Sequence, residues 1–356
     1  MSARRTQPLL LGTVLIAGMI APFLLPAYQV QLSLLWIMIV FSLTWDVVGG
    51  QMGYNSFGNI VFFGIGMYVC ACTQIGLFYN LAQYTAATGA ITAHLTQTQY
   101  FTGLGLGLVL AAVAAVAVAV ILGTGILGLR GHYFAIGTLG LGVAAGEIAS
   151  GIDVIGAGSG MVAPIFPGTE RARQLFFYYL CMLLGIATFL CLRWLYHRRF
   201  GLAINAIRDD EDKAEALGIP TTRYKTVAWA VSALFLGLAG GLVGNILSFI
   251  DPLDTAFAAS TFGVWMVLMA LLGGKGTLWG PVIGAVVYHV IKELFWVYLL
   301  GWQQVALGVL IILIVLFFPE GILGWLRQRT LPRDAGGAAG TGRDSAAGTE
   351  ARGTGT

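Results

Sequence analysis

Residues 103–129 read "GLGLGLVLAAVAAVAVAVILGTGILGL", a run without a single charge. A bilayer core is crossed by about 20 apolar residues of helix. In hydrocarbon no water satisfies backbone N–H and C=O groups, so a spanning chain must be helical or a closed barrel. Barrel strands are short and alternate polar with apolar, and this run does not alternate. The composition extends the constraint to the whole chain, which is 58% hydrophobic and 10% charged, against about 25% charged in soluble domains. The fold class is therefore an all-α polytopic membrane protein.

Ten candidate spans follow, at 9–27, 31–48, 57–79, 101–127, 132–150, 174–195, 225–249, 259–273, 278–299 and 303–319. The fifth and eighth are short and glycine-rich and are read as broken or partial helices, of the kind tolerated where protein covers the backbone. The first apolar run, with Arg4 and Arg5 before it and Pro22 and Pro26 closing it, lacks a small-x-small cleavage site and reads as an uncleaved span.

Basic residues concentrate on the cytoplasmic side of membrane proteins. With the N-terminus inside, Arg4, Arg5, Arg130, Arg193, Arg198, Arg199, Arg208, Lys213, Arg223, Lys225, Lys275, Arg327, Arg329 and Arg333 all fall inside. Arg171 and Arg173 fall outside, with Lys292 in the outer half of a span. Both termini are then cytoplasmic. Residues 1–8 form an N-terminal segment, 9–324 a transmembrane domain with a cytoplasmic loop at 197–224, and 325–356 a tail. From Leu331 the tail is Gly, Ala, Thr and isolated charges, a composition that cannot bury apolar surface and predicts disorder.

Most catalytic chemistry is missing from the pattern. The string "LLGGKGTLWG" places Gly276 after Lys275 and lacks the upstream glycine of a phosphate-binding loop; a tight turn between spans is expected. Cys70, Cys72, Cys181 and Cys191 lie in apolar runs and read as small buried hydrophobes. The four histidines are scattered. No catalytic or metal-binding residue is assigned. The net charge of +3 is spread among loops and gives no basis for nucleic-acid binding.

Ionisable groups inside membrane spans are functional candidates. Asp46 lies near the inner end of the second span, Glu147 near the outer end of the fifth, and Lys292 and Glu293 are adjacent. Only Glu147 approaches the place an ion-coupled carrier needs, and the favoured reading is that it caps or hydrogen-bonds a neighbouring helix. The energy source is read as lying outside this chain.

Glycine is abundant. "GLAGGLVG" sets Gly237 and Gly241, and Gly240 and Gly244, four apart, a spacing that lets helix backbones approach. In "GGQMGYNSFGNIVFFGIGMY", Gln51, Asn55, Ser56 and Asn59 stand at the mouth of an aromatic span. They either satisfy a broken helix end or line a path for a polar solute. Two polar loops, 80–100 and 151–173, lie on the outer side, and Ser159 of the second joins Glu147 among the path candidates.

One charged island interrupts the pattern, "AINAIRDDEDKAEALGIPTTRYK" at 203–225. Asp209 or Asp210 can cap a helix, and acids in its first turn suit the helix dipole. Ala214, Ala216 and Leu217 give a weakly apolar patch; Gly218 and Pro220 end the helix. So short a helix is marginal alone in water, and docking against a partner is expected.

The segment "DKAEALG" resembles the cytoplasmic coupling motif of ABC importer permeases. More specifically, the chain resembles the LivM-type permease subunits of branched-chain amino acid ABC importers. The similar pieces are "VVGGQMGYNSFGNIVFFGIGMYV", "LRGHYFAIGTLGLGVAAGEI", "GAGSG", "RRFGLAINAIRDDEDKAEALGIPTTRYKTVAW", "LAGGLVGNILSFIDP", "MALLGGKGTLWGPVIGA" and "LFFPEGILG". The resemblance implies a bacterial plasma-membrane subunit working with a second, LivH-type permease, two ATP-binding subunits that hold ATP and Mg, and an extracytoplasmic solute-binding protein. It makes Asp209, Asp210, Glu211, Asp212, Ala214, Glu215, Ala216, Leu217 and Gly218 the seat of ATPase coupling, and it implies no cofactor in this chain. Branched-chain amino acids are the implied solute, with urea, short amides or aromatic acids as the alternative. Two departures bear on the solute: where the family often has "GQLSLGHAAF" this chain has "GQMGYNSFGN", and where it often has "TGGSNGL" this chain has "GAGSGMV".

Two other classes compete. An ion-coupled carrier would need acids within the spans to work as a relay. A membrane enzyme would need a clustered nucleophile or metal set.

Overall fold

The computed structural model describes residues 3–86, 95–299, 301–302, 305–306, 308–309, 312 and 321–324, with side chains from residue 11 onward except at 86 and 260. The tenth expected span lies largely outside these residues, and the tail at 325–356 wholly so. The chain runs α1 (Ala3–Leu24), α2 (Gln29–Asp46), α3 (Ile60–Gly76), α4 (Leu81–Ala86), α5 (Gln97–Ile126), α6 (Gly131–Ser150), α7 (Glu170–Tyr196), α8 (Arg199–Asp209), α9 (Glu211–Ala216), α10 (Thr221–Leu247), α11 (Val264–Gly273) and α12 (Trp279–Tyr298). Two short strands, β1 (Met161–Val162) and β2 (Phe249–Ile250), pair antiparallel. Among the described residues seven helices are long and apolar enough to cross a membrane, and Leu11–Leu24 and Ile60–Gly76 add two shorter ones. The chain is an all-α polytopic membrane protein.

The helices sort by how much of their circumference is covered. In α2 and its continuation every residue from Trp36 to Met52 is buried, as expected for a helix at the centre of a bundle. By contrast α5 buries one stripe, Tyr100, Gly103, Leu104, Gly107, Ala111, Ala115, Ala119 and Gly123. Its other faces expose Leu106, Val109, Leu110, Val113 and Ile121, side chains that only an apolar surrounding accommodates. Helix α6 likewise buries Phe134, Thr138, Gly142, Gly146 and Ala149 at near fourfold spacing.

Small residues set the centre of the bundle, where α3, α5 and α10 meet. A β-carbon on Gly66 would collide with the Gly237 carbonyl, and one on Gly240 with the Phe63 carbonyl. Helix backbones this close gain dispersion contacts that larger side chains would prevent. Gly237, Gly240, Gly241 and Gly244 are all buried, as their spacing predicts.

The two expected broken spans part company. The segment before α11 is irregular, with π-type turns at Pro252–Ala256 and Ala259–Gly263. The fifth span is instead one unbroken helix of 20 residues. Its inward glycines fit against neighbours: Gly142 faces Ile60 and Ala259, and Gly146 faces Leu253 and Phe257. They serve packing, not a break.

Loops gather at two ends. At one, Arg130 reaches Asp212, Lys225 reaches the Leu127 carbonyl, and the Gly276 amide donates to Asp46 Oδ1 at 2.7 Å. This basic end carries α8, α9 and the turn 274–278, the tight turn expected of "GGKGT". At the other, Tyr84 and Thr85 donate to the carbonyls of Val162 and Val154, and the Ala163 amide donates to the Ser248 carbonyl. There β1 and β2 tie the loop after α6 to the end of α10.

Candidate coupling and translocation site

The helix expected from Asp209 or Asp210 onward is α9, and a further helix, α8, precedes it. Asp209 ends α8, and Asp210 is extended (φ −164°, ψ 108°) and caps α9, its Oδ1 accepting from the Lys213 amide at 3.0 Å. Two adjacent aspartates left the cap ambiguous in sequence; the extended backbone at Asp210 resolves it. At the far end Gly218 has φ +83°. The Gly218 amide bonds the Glu215 carbonyl at 2.9 Å and the Ile219 amide the Ala214 carbonyl at 3.1 Å, the paired closure that a left-handed residue after a helix permits.

The pair of helices has an inner and an outer face. Helix α8 buries Gly201, Ala203, Ile204 and Ile207, and α9 buries Ala214. Outward stand Asp209, Asp212, Glu215, Ala216 and Gly218, with Leu202 74% and Leu217 82% exposed. Two leucines held out among charges form a mixed surface suited to a protein partner.

Glu211 is the exception among the acids. Its side chain is only 13% exposed and its carboxylate pairs with Lys225 Nζ, itself 3% exposed. The hydroxyl of Tyr54 donates to the other carboxylate oxygen. Lys225 Nζ also donates to Tyr54 Oη at 2.8 Å and lies 4.4 Å from the centre of the Tyr54 ring. Arg130 Nε stands 3.6 Å from Glu211, and Arg130 Nη1 2.7 Å from Asp212. Burial pushes the Glu211 carboxyl up, but Lys225, Tyr54 and Arg130 outweigh it and hold it below the ordinary glutamate value. Burial and the neighbouring Glu211 both raise the Tyr54 hydroxyl.

Tyr54 belongs to an irregular segment between α2 and α3. After α2 a π-type turn covers Val47–Gln51, and residues 52–59 are not helical. This backbone is satisfied by neighbours. Trp45 Nε1 donates to the Ser56 carbonyl at 2.7 Å, and the Phe57 amide to Thr138 Oγ1 of α6 at 3.1 Å. Asn59 Oδ1 accepts from Ser56 Oγ at 2.8 Å and from Trp229 Nε1 at 3.0 Å. Ser56 and Asn59 thus tie the break to α10 through Trp229, and the Asn59 side chain does not cap α3. Gln51 is buried with them, and Asn55 is exposed.

The remaining path candidates lie elsewhere. Glu147 is on the exposed side of α6, three residues from its end. Ser159 is exposed at the polar-loop end, its Oγ donating to the Gly156 carbonyl at 2.7 Å. It lines an open pocket of about 340 Å³ with Ala82, Thr85, Asp153, Val154, Gly156 and Ala157. Four of the six candidates therefore share one segment, and two sit at the opposite end.

Sequence reasoning did not single out Tyr54, Lys225, Arg130 or Trp229 as partners of this site. Lys225 counted only as a cytoplasmic base. Its place at the start of an apolar run was the available signal, since a lysine buried there needs an acid. No group of residues able to hold a metal ion occurs among the described residues.

The model of the family described as "Branched-chain amino acid transport system / permease component" matches residues 30–318. The chain belongs to this family. The permease is 27% identical over 353 residues to the high-affinity branched-chain amino acid transport system permease protein LivM of Salmonella typhimurium, covering 91% of this chain and 76% of that one. It is 26% identical to LivM of Escherichia coli K12 with the same coverage. A shorter stretch of 144 residues is 31% identical to the permease protein LivH of Salmonella typhimurium, covering 39% of this chain and 46% of that one. No solved structure matches. The permease is a multi-pass membrane transport subunit of LivM type.

Proposed function

We propose that this chain is the membrane-spanning permease subunit of an ATP-driven ABC importer that moves branched-chain amino acids. A solute-binding protein on the extracytoplasmic side delivers the solute. A second permease of LivH type completes the path, and two ATP-binding subunits, which hold ATP and Mg, dock on the basic end. The chain sits in the bacterial plasma membrane with both termini in the cytoplasm.

The observation that carries this reading is the α8–α9 pair. It is a rigidly capped element that projects Leu202, Ala216 and Leu217 away from the bundle, at the end where the basic loops gather. A force applied there reaches the centre, because α8 leads out of α7 and α9 is tied into α10 through Lys225. Similarity to LivM over most of the chain supports the amino-acid solute.

Uptake of labelled leucine tests it, in cells with and without the chain, with the proton gradient collapsed while ATP is maintained. Chain-dependent uptake that survives the collapse is expected. Uptake that disappears would revive an ion-coupled carrier, with Glu147→Gln as its first test. Absence of chain-dependent leucine uptake would direct the same assay to urea, short amides and aromatic acids.

A further inference from the structure

We infer that Glu211, with Lys225 and Tyr54, transmits movement of the α8–α9 pair to the irregular segment 52–59, so that Glu211 is a positioning residue of the transport cycle and not a docking contact. The inference rests on the proposed ATPase docking at α8–α9.

Three observations carry it. Glu211 points away from the outer face: its carboxylate is enclosed and engages Lys225 and Tyr54 together. Removing one member of such a set strands a charge, so the set moves as a unit. The Asp212–Arg130 pair of α9 is exposed on both sides and is screened by solvent.

Next, Lys225 and Trp229 stand one turn apart on α10, a spacing that puts both on one face. Lys225 holds Tyr54 and Trp229 holds Asn59. One face of α10 therefore grips both ends of the irregular segment, and α9 grips the first of those residues directly.

Finally, the segment has no helical ladder to break. Its middle is fixed to α6 by the Phe57–Thr138 hydrogen bond, and the Tyr54 ring meets Phe134 edge-on at 5.2 Å. The Tyr54 amide stays bonded to the Val48 carbonyl at 2.9 Å, so a shift of its side chain changes its seat against α6 without unwinding α2 or α3.

A reporter on Asn55, the exposed residue next to Tyr54, tests the link. Asn55→Cys in a background with the four native cysteines changed to alanine accepts a nitroxide. The full chain is placed in lipid nanodiscs, and the whole importer assembly is isolated from the native host. In Glu211→Gln the nitroxide becomes more mobile, the ATP-binding subunits still co-isolate, and leucine taken up per ATP hydrolysed is largely lost. The exchanged pair Glu211→Lys with Lys225→Glu recovers both the immobile spectrum and coupled uptake. Unchanged mobility, unchanged uptake per ATP, loss of the ATP-binding subunits in Glu211→Gln, or no recovery in the exchanged pair would each overturn the inference. Leu217→Glu separates this from the docking itself: it should release the ATP-binding subunits while the nitroxide stays immobile. If no ATP-binding subunit accompanies the unmodified chain, the functional reading fails, and the nanodisc spectra still decide the Glu211 link.

Discussion

Gly66 of α3 and Gly237 of α10 lie against each other with no room for a side chain on Gly66, because a β-carbon there would enter the Gly237 carbonyl. Gly237 in turn faces the Ala111 carbonyl of α5 at 2.8 Å from where its own β-carbon would be. One pair of glycines thus sets the spacing of three helices. Gly66→Val forces these backbones apart, and overpacking of this kind costs about 1–3 kcal/mol. Gly105→Val on the open side of α5, where nothing lies within 4 Å, is the control. Thermal unfolding in detergent should fall for the first and hold for the second.

Asp46 illustrates a buried acid with a structural task. Its Oδ1 accepts the Gly276 amide at 2.7 Å, which anchors the turn between α11 and α12 to the end of α2, 230 residues earlier in the chain. Asp46→Ala leaves that amide without its acceptor, at a cost of about 1–3 kcal/mol. Asp46→Asn keeps an acceptor oxygen and should cost less. Hydrogen exchange at Gly276 reads the difference directly: fast in the alanine variant, near the original rate in the asparagine one.

Hydropathy located nine of the ten expected spans among the described residues, because a run of apolar side chains fixes a membrane helix nearly by itself. The break between α2 and α3 was also visible, since glycines and amides cluster there. The clamp at Glu211 was not. Its members Tyr54 and Glu211 are 157 residues apart, and Tyr54 and Lys225 are 171 apart. No local pattern pairs them, and in sequence Glu211 is one of four consecutive acids. Only packing of α9 on α10 shows which acid turns inward. Glycine spacing misled in one place, the fifth span, because an inward glycine and a helix-breaking glycine look alike until the neighbour is known.

The Glu211 clamp carries a pH signature. Its carboxyl is held below the ordinary value of 4.5. A depressed carboxyl contributes stability that is present above the unfolded value and is lost as pH falls through the lower folded value. The basic end should therefore hold together at neutral pH and loosen as pH drops below about 4.5. Protease cleavage within 197–220, followed against pH in nanodiscs, should rise in that acid window. In Glu211→Gln the carboxyl is gone, so cleavage should be faster at pH 7 and its acid dependence smaller.

The outer face of α9 predicts the opposite kind of variant. Ala216 is exposed and makes no hydrogen bond through its side chain, so Ala216→Glu disturbs nothing inside the subunit. Exposed substitutions of this sort stay within roughly 0.5 kcal/mol of the original stability. A docking groove, however, would have to accept a bulky charge where a methyl sat, at a desolvation cost of several kcal/mol. Ala216→Glu should leave membrane insertion and thermal unfolding unchanged and abolish leucine uptake. Gly218→Trp should also abolish uptake, with a small loss of stability, because φ of +83° costs a non-glycine residue about 1–2 kcal/mol. Normal uptake by both variants would remove α9 from the coupling surface, whereas loss of uptake with an intact thermal transition in Ala216→Glu would place the defect at the contact with the ATP-binding subunits.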